Sequence, residues 1–273
     1  MKITLGGVRG TSSMARSEFM RYGGETTSVL VQGRAGETVI LDAGTGIRAL
    51  GESWGAEPPR EVLLLLTHYH LDHIVGWPSF SLLYRKGVAI RVASSLTDGP
   101  AVESILSQLM KQPFWPVQMD SVQAAVTFEK TPATFGRLRI SSCPVHHPGG
   151  CVAYRLDEPA TGASVVFATD IEWSVSSPEE QERFLAFCRQ PAPCRLLLFD
   201  GHYSRATYPA FKGWGHSTWE EAVEVARKAG AGQLLVIHHA PDSRDEYLER
   251  LDRRLLAAYP GSSLARDGME VEL

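Results

Sequence analysis

Short apolar runs, separated by glycine and polar turns, dominate the first third of the chain. Residues 62–66 form an unbroken apolar run, which is typical of a buried strand. The runs follow one another at the short spacing of hairpins, so an antiparallel or mixed sheet is expected here. The predicted strands of this part are 2–5, Ser28–Gln32, Thr38–Leu41 and 62–66.

Apolar residues at helical spacing appear first in 101–112, where Val102, Ile105, Leu106 and Leu109 recur with a period of about 3.6. This pattern predicts an amphipathic helix. Strands and helices then alternate, and sheets with helices on their outer faces imply a layered α/β fold. The later predicted strands are 138–141, 152–156, 165–168, 196–199 and Gln233–Ile237, and the later predicted helices are 178–187, Trp219–Ala229 and Asp245–Ala258.

No linker or low-complexity segment interrupts the sequence, so a single domain over residues 1–273 is predicted. Residues 76–132 are the largest segment available for an insertion, and Trp77 and Phe114 give it an aromatic character. We expect a helical and aromatic insertion here. It could cover a site, form a subunit contact or pack into the core.

The composition narrows the functional classes. A formal net charge of −4 gives no general attraction for nucleic acid, so an anionic substrate must be held by a local site. No stretch is long enough to span a membrane, and the N-terminus lacks the apolar core of a signal peptide. The four cysteines include no C-x-x-C pair, and we interpret them as reduced thiols of a cytoplasmic protein.

Four residues of metal-binding type fall within six positions just after the predicted strand 62–66: His68, His70, Asp72 and His73. Their spacing does not place them on one helix face, so we expect them on a strand-to-helix loop. Imidazole and carboxylate without thiolate favour zinc, or less selectively manganese or iron. With only nine histidines in the chain, three within six residues make a chance polar turn a poor alternative.

Further candidates lie at the ends of other predicted strands. His147, Asp170 and His238 each follow such a strand, as His68 does. Strand ends that deliver these side chains to one sheet edge are how α/β enzymes assemble a site. Taken singly, Asp170 has the alternative of a turn or helix cap, and His238 that of a hydrogen-bonded histidine near the surface. Together with the loop, they indicate one metal site built from distant parts of the sequence.

The loop contains the pattern H-x-H-x-D-H, and in this the sequence resembles the metallo-β-lactamase superfamily. Asp42, in the run L-D-A-G-T-G, is similar to the structural aspartate that precedes this loop in the family. The resemblance covers nearly the whole chain and implies a four-layer αββα sandwich with two divalent metal ions at one edge. It implies that His68, His70 and His147 bind one ion, that Asp72, His73 and His238 bind the other, and that Asp170 bridges them.

Two of these positions have a second histidine beside them. We favour His147 over His146 because the distance along the chain from His147 to Tyr154 is similar to that in ribonuclease Z-like members of the family. We favour His238 over His239 because it keeps the family's spacing between strand and ligand. Both choices depend on the resemblance.

A branch of the superfamily is indicated by the run G-H-S-T at 215–218, which opens a predicted helix, and by Asp200 at the preceding strand end. Ribonuclease Z and its phosphodiesterase relatives carry a similar element, in which an acid orients the histidine. Residues 10–13 also resemble their first loop. A plain helix N-terminus would explain the serine and threonine as caps, but it would not explain His216.

This branch implies a hydrolase that cleaves phosphodiester bonds by metal-hydroxide attack. Metal coordination lowers the pKa of bound water to about 7, and two ions can clamp the phosphodiester oxygens. The leaving alkoxide needs a proton, a role that suits His216 if Asp200 stabilises its imidazolium. The predicted catalytic residues are Asp72, Asp200 and His216.

Arg9, Lys212 and Trp214 are the predicted substrate contacts, by binding phosphate or stacking on a base, although each could be an ordinary surface residue. The chain lacks the long basic arm with which ribonuclease Z grips transfer RNA, so a small anionic substrate such as a cyclic nucleotide is favoured over folded RNA. Two alternatives stay open: hydrolysis of a thioester, lactone or lactam at the same centre, and a metal-bound sensing or binding protein with little turnover. A weakly associated homodimer is also expected.

Overall fold

The computed structural model describes residues 1–273 and contains fourteen strands and six α-helices, joined by loops and short 3-10 turns. The strands are β1 (Lys2–Gly7), β2 (Ser28–Gln32), β3 (Thr38–Leu41), β4 (Glu61–Leu66), β5 (Ala89–Ser94), β6 (Ala125–Lys130), β7 (Thr134–Phe135), β8 (Leu138–Val145), β9 (Cys151–Glu158), β10 (Ala163–Ala168), β11 (Leu196–Asp200), β12 (Gln233–Ile237), β13 (Ser262–Leu264) and β14 (Glu270–Glu272). The helices are α1 (Ile47–Glu52), α2 (Leu71–Ile74), α3 (Gly99–Leu109), α4 (Pro178–Arg189), α5 (Trp219–Ala229) and α6 (Asp245–Ala258).

The strands form two sheets of seven. The first has the order β14-β1-β2-β3-β4-β5-β6 and the second the order β13-β12-β11-β10-β9-β8-β7. In the first sheet β1, β2 and β3 pair antiparallel, and β3 to β6 pair parallel. The expected mixed sheet in the first third of the chain is therefore confirmed.

The central strands of each sheet are buried on both faces, and their alternate residues point to opposite sides. In β10, Val165 and Phe167 point into the space between the sheets, and Val166 and Ala168 point to the layer formed by α4, α5 and α6. Strand β4 alternates in the same way between the inter-sheet core and the layer of α1 and α3. The four layers confirm the αββα sandwich, and they explain why the run at 62–66 has no polar break.

The carboxyl ends of the parallel strands define one edge of the sandwich. Strands β3 to β6 are parallel in the first sheet, and β10 to β13 are parallel in the second. Ligands of α/β sheets bind outside such strand ends. The two edges meet where His73, after β4, approaches Asp170, after β10, with 3.1 Å between Nε2 and Oδ1.

Residues 76–132 differ from the expected insertion. The segment contains the predicted helix as α3, but it also supplies β5 and β6, which complete one side of the first sheet. Trp77 is fully buried in the outer core, whereas Phe114 is 78% exposed. Charged residues such as Arg91 and Glu129 interrupt the apolar pattern of these two strands, which is why periodicity alone missed them.

Candidate metal centre

The loop after β4 turns at Thr67 and carries two histidines before the short helix α2 begins. Asp72 and His73 lie within α2, and His70 precedes it. The carboxylate of Asp72 and the rings of His68 and His73 are buried, while His70 is exposed. The predicted strand-to-helix loop is thus present, and it points its polar side chains at the edge where the sheets meet.

The structure brings the predicted ligand residues together in two groups. The ligand atoms of His68, His70, His147 and Asp170 lie within 4.8 Å of one another, and so do those of Asp72, His73 and His238.

Asp170 reaches both groups with its two carboxylate oxygens. Its Oδ2 lies 3.7 Å from Nε2 of His68 and 3.7 Å from Nε2 of His147. It also lies 3.5 Å from Nε2 of His238, while Oδ1 lies 3.1 Å from Nε2 of His73. This central position is the one that a bridging carboxylate would occupy.

Hydrogen bonds fix which ring nitrogen of each histidine faces the centre. Nδ1 of His73 donates to the Asp42 carboxylate at 2.8 Å, and Nδ1 of His147 donates to the carbonyl of Gly215 at 2.9 Å. Since these partners only accept, each ring carries a proton on Nδ1 and turns Nε2 towards the centre.

Two threonines fix the other rings in the same way. Thr67 donates its hydroxyl to Asp42, so its oxygen accepts from Nδ1 of His68 at 3.1 Å. Thr27 donates to a backbone carbonyl and accepts from Nδ1 of His238 at 3.1 Å. Neither threonine could be identified from the sequence, because each lies outside the ligand motifs.

The donor set fits divalent metal ions. Nε2 of His68, His73 and His238 are buried and have no hydrogen-bond partner. A buried polar atom without a partner costs about 1–3 kcal/mol, and a bound cation would remove that cost. Imidazole nitrogens and carboxylate oxygens without thiolate suit zinc. Cys151 is buried with its sulfur 3.7 Å from Nδ1 of His68, on the side of the ring away from the centre.

Asp42 acts behind the ligands. Its carboxylate accepts from the amide and the hydroxyl of Thr67 and from Nδ1 of His73, each at 2.8 Å. Asp42 therefore orients His73 of the second group by a direct hydrogen bond, and it orients His68 of the first group through the hydroxyl of Thr67. Burial raises the pKa of Asp42, and the nearby His73 opposes this.

The first loop of the chain closes over the second group. The amide of Thr11 donates to Oδ2 of Asp72 at 2.7 Å. Gly10 lies so close to the centre that a Cβ at that position would be 2.4 Å from the ring of His238. Gly10 and Thr11, the first two residues of the segment noted for its resemblance, therefore border the centre.

Asp200 and His216 form a pair beside the two groups. Oδ2 of Asp200 accepts from Nδ1 of His216 at 2.9 Å, and this nitrogen is 3.9 Å from Oδ2 of Asp170. Burial lowers the pKa of His216, but the charge and hydrogen bond of Asp200 outweigh it and raise the pKa to about 9. His216 is therefore protonated at neutral pH.

The structure corrects the prediction for Arg9. This side chain is fully buried, and its guanidinium donates to the carbonyls of Gly23, Ala240 and Ser243. Its Nε and Nη1 donors are thus directed at the protein backbone and its Nη2 is buried without a partner, so the side chain is not open to a substrate from solution. It holds the first loop against the segment that follows His238.

Lys212 and Trp214 lie on the loop that leads to His216, and both are exposed. Trp214 is 63% exposed, and its ring packs edge-on against Phe211 at 5.4 Å between centroids. Of the neighbouring histidines, His146 is exposed and lies 3.6 Å from Glu180, away from the centre. His239 is buried, and its Nε2 donates to the carbonyl of Ala265.

Two residues near the centre were missed by the sequence analysis. His202 stacks on His216 with 4.4 Å between ring centroids, and its Nδ1 donates to the carbonyl of His238. Its position just after β11 was the available signal. Glu172 is buried two residues after Asp170, and its partners lie 36 to 43 positions further on, so no local pattern reveals it.

Comparison with known proteins agrees with this geometry. A family model described as the Beta-lactamase superfamily domain matches residues 37–239. Ribonuclease BN from Enterobacter sp. (strain 638) is 23% identical over 276 residues, which cover 85% of this chain and 88% of that protein.

Solved structures share the whole fold. A diphosphatase from the PhnP family gives a TM-score of 0.70 at 20% identity, covering 100% of this chain and 97% of that one. Human tRNase Z, short form, gives a TM-score of 0.68 at 15% identity, covering 100% and 99%. No helix in the structure has the length and apolar character needed to cross a membrane. The family match spans most of the chain and includes both ligand groups, so this protein belongs to the β-lactamase superfamily, a family of metal-dependent hydrolases.

Proposed function

We propose that this protein hydrolyses phosphodiester bonds in small, nucleotide-like substrates, with His216 as the general acid. The observation that carries the proposal is the Asp200 and His216 pair, 2.9 Å apart and next to both ligand groups. Hydrolysis of a phosphodiester expels a strongly basic alkoxide, which needs a proton as the P–O bond breaks. A thiolate leaves without a proton, so thioester hydrolysis has less use for such a donor.

Seven side chains would hold two divalent ions, and zinc is the ion that the donor set fits best, with manganese or iron as alternatives. Asp170 would be shared between the ions, because its oxygens face both groups. When bound, the ions would lower the pKa of water and neutralise charge on the phosphoryl oxygens. The proposed ligands are His68, His70, Asp72, His73, His147, Asp170 and His238.

His216 would deliver the proton from Nε2, because Nδ1 is bonded to Asp200. The carboxylate of Asp200 accepts four hydrogen bonds. One comes from Nδ1 of His216, and the others come from the amides of Asp170, His202 and Ser217. This fixes the ring of His216 and stabilises its charged form. Asp72, which the amide of Thr11 orients, would complete the catalytic set with these two residues.

The proposed substrate is small because the chain offers little surface for a large anion. The net charge is −4, and the exposed candidates beside His216 are Lys212 and Trp214. Lys212 would contact phosphate and Trp214 would stack on a base. The relatives named ribonuclease, tRNase and diphosphatase support a phosphate-containing substrate. A weak homodimer and a cytoplasmic location stay predictions from the sequence.

A substrate panel tests this proposal. Zinc-loaded protein should hydrolyse bis(p-nitrophenyl) phosphate and a cyclic nucleotide, and His68→Ala should abolish both activities by removing a proposed ligand. His146→Ala is the matched control, because this exposed side chain faces away from the centre. Turnover of a thioester alone would show that the phosphodiesterase assignment is wrong, and no turnover of any substrate would favour a binding protein.

A further inference from the structure

We propose that Glu172 is a positioning residue that holds the loop 208–216, and through it both His147 and His216, in the arrangement that the proposed function needs. This carboxylate is buried, with 1% of its surface exposed. Glu172 is not one of the proposed metal ligands, and it is not part of the Asp200 and His216 pair. The part that concerns His216 depends on the proposed function, whereas the part that concerns His147 does not.

The contacts of Glu172 converge on one loop. Oε1 accepts from the hydroxyl of Tyr208 at 2.6 Å and from the amide of Gly213 at 2.6 Å. Oε2 accepts from the amide of Gly215 at 2.7 Å. A buried carboxylate is costly unless such donors surround it, and here all three are neutral groups of the same loop.

Gly215 transmits this contact to the metal centre. Its amide is bonded to Glu172, and its carbonyl accepts from Nδ1 of His147 at 2.9 Å. Its φ is +91°, and a Cβ at this position would lie 2.2 Å from Nδ1 of His147. One glycine therefore links the buried carboxylate to a proposed metal ligand, and its orientation sets that of the imidazole.

The residue after Gly215 is His216, whose ring must reach Asp200, so the position of Gly215 also affects His216. Glu172 is itself held in place by its backbone, because its amide donates to the carbonyl of His146 at 2.9 Å. The amide of Trp173 donates to Oγ of Ser217 at 3.1 Å. The loop is thus tied to a rigid segment, and Glu172 supplies the side-chain part of that tie.

A carboxylate is required because three donors face it. In Glu172→Gln, the side-chain NH2 group would replace one carboxylate oxygen. It would then face either the amide of Gly215 or the hydroxyl of Tyr208 and the amide of Gly213, all of which are donors. One or more loop contacts would then be lost at nearly constant volume. Tyr208→Phe removes the hydroxyl bond alone and leaves both glycine amides bonded, so it is the matched control.

Two readouts test the proposal without reference to turnover. In Glu172→Gln, hydrogen exchange at the amides of Gly213 and Gly215 should increase, and zinc affinity should fall by about 10–100-fold, as is typical when a residue that orients a ligand is changed. If a phosphodiester is hydrolysed, its kcat should fall by about 100-fold, because His216 is displaced. Tyr208→Phe should keep wild-type zinc affinity and wild-type exchange at Gly215.

Asp98→Ala, which removes the side-chain cap of α3 on the outer face of the first sheet, controls for loss of stability as such and should change neither zinc affinity nor exchange. If Glu172→Gln does not fold, Glu172→Asp keeps the charge but shortens the side chain, and the same two effects are expected. Wild-type zinc affinity and exchange in the folded variants would overturn the proposal. Failure of the wild type to cleave any phosphodiester would refute the proposed function and leave the zinc and exchange tests intact.

Discussion

Four residues other than glycine have a positive φ, and all four lie at the candidate metal centre: Thr11, Asp42, Asp170 and His238. A conformation of this kind costs on the order of 1–3 kcal/mol and persists only where the surroundings enforce it. Asp42 shows how this is done, since its carboxylate accepts three hydrogen bonds at 2.8 Å. The backbone is thus strained where ligand direction matters.

At the residue scale the sequence predicted ligand types but not contacts over long distances. His68 and Asp170 could be proposed as ligands from the sequence, because each follows closely after an apolar strand that is itself recognisable. Arg9 was misjudged because one of its partners, the carbonyl of Ser243, is 234 positions away. Glu172 was missed for the same reason, since only the fold brings Gly215 to it.

The Asp200 and His216 pair gives a prediction on pH. The pKa of His216 is about 9, and a general acid acts in its protonated form, so under the proposed function kcat/KM should fall as the pH rises through about 9. Asp200→Asn removes the largest of the charges that raise this pKa, so the pKa of His216 should fall and the decline in rate should begin at lower pH. Profiles of kcat/KM from pH 5 to 10 measure this.

Asp120→Asn, a change of the same type at an exposed turn, is the control and should keep the wild-type profile. A profile of Asp200→Asn that falls at the same pH as the wild type would contradict the assignment of the alkaline limb to His216.

At the element scale the sequence predicted the strands that are buried on both faces and the longer helices. Helix α5 has the predicted bounds Trp219–Ala229, because an apolar stripe and a cap define it. Strand β6 lies at the edge of the first sheet and contains charged residues, so it has no continuous apolar run and was not predicted. Short strands such as β7, with two residues, carry too little pattern to be identified.

Two helix caps give a prediction at this scale. Thr218 starts α5 and Ser177 starts α4, each with a reciprocal bond to a glutamate in the first turn. Thr218→Ala and Ser177→Ala should each lower the free energy of unfolding by about 1 kcal/mol in urea titrations. Only Thr218→Ala should also lower kcat, because Thr218 lies two residues after His216. Equal kcat in both variants would show that the cap does not support the acid.

At the scale of the whole molecule, the two sheets place four carboxylates at one buried edge. Asp42, Asp72, Asp170 and Asp200 are all buried there, together with the histidine rings. The sequence predicted that the strand ends would meet, because parallel strands share an edge. It did not predict the resulting charge density, which depends on how closely the sheets pack. Such a site favours bound cations.

Metal removal should therefore destabilise the whole protein. Zinc at about 100 times its Kd should add about 2.7 kcal/mol, or roughly 5–10 °C in Tm, relative to protein treated with a chelator. His147→Ala should reduce this shift, and His146→Ala, at the neighbouring exposed position, should not. Thermal unfolding with and without chelator measures it, and an equal shift in both variants would contradict the choice of His147.

The most direct test of the central claim is the effect of His216→Ala on two phosphodiesters that differ in their leaving group. A cyclic nucleotide expels an alkoxide that needs a proton, whereas bis(p-nitrophenyl) phosphate expels a weakly basic phenolate. If His216 is the general acid, kcat for the cyclic nucleotide should fall by about 10²–10⁴-fold, with a much smaller loss for the p-nitrophenyl ester. Equal losses for both substrates, or no loss for the cyclic nucleotide, would contradict this assignment.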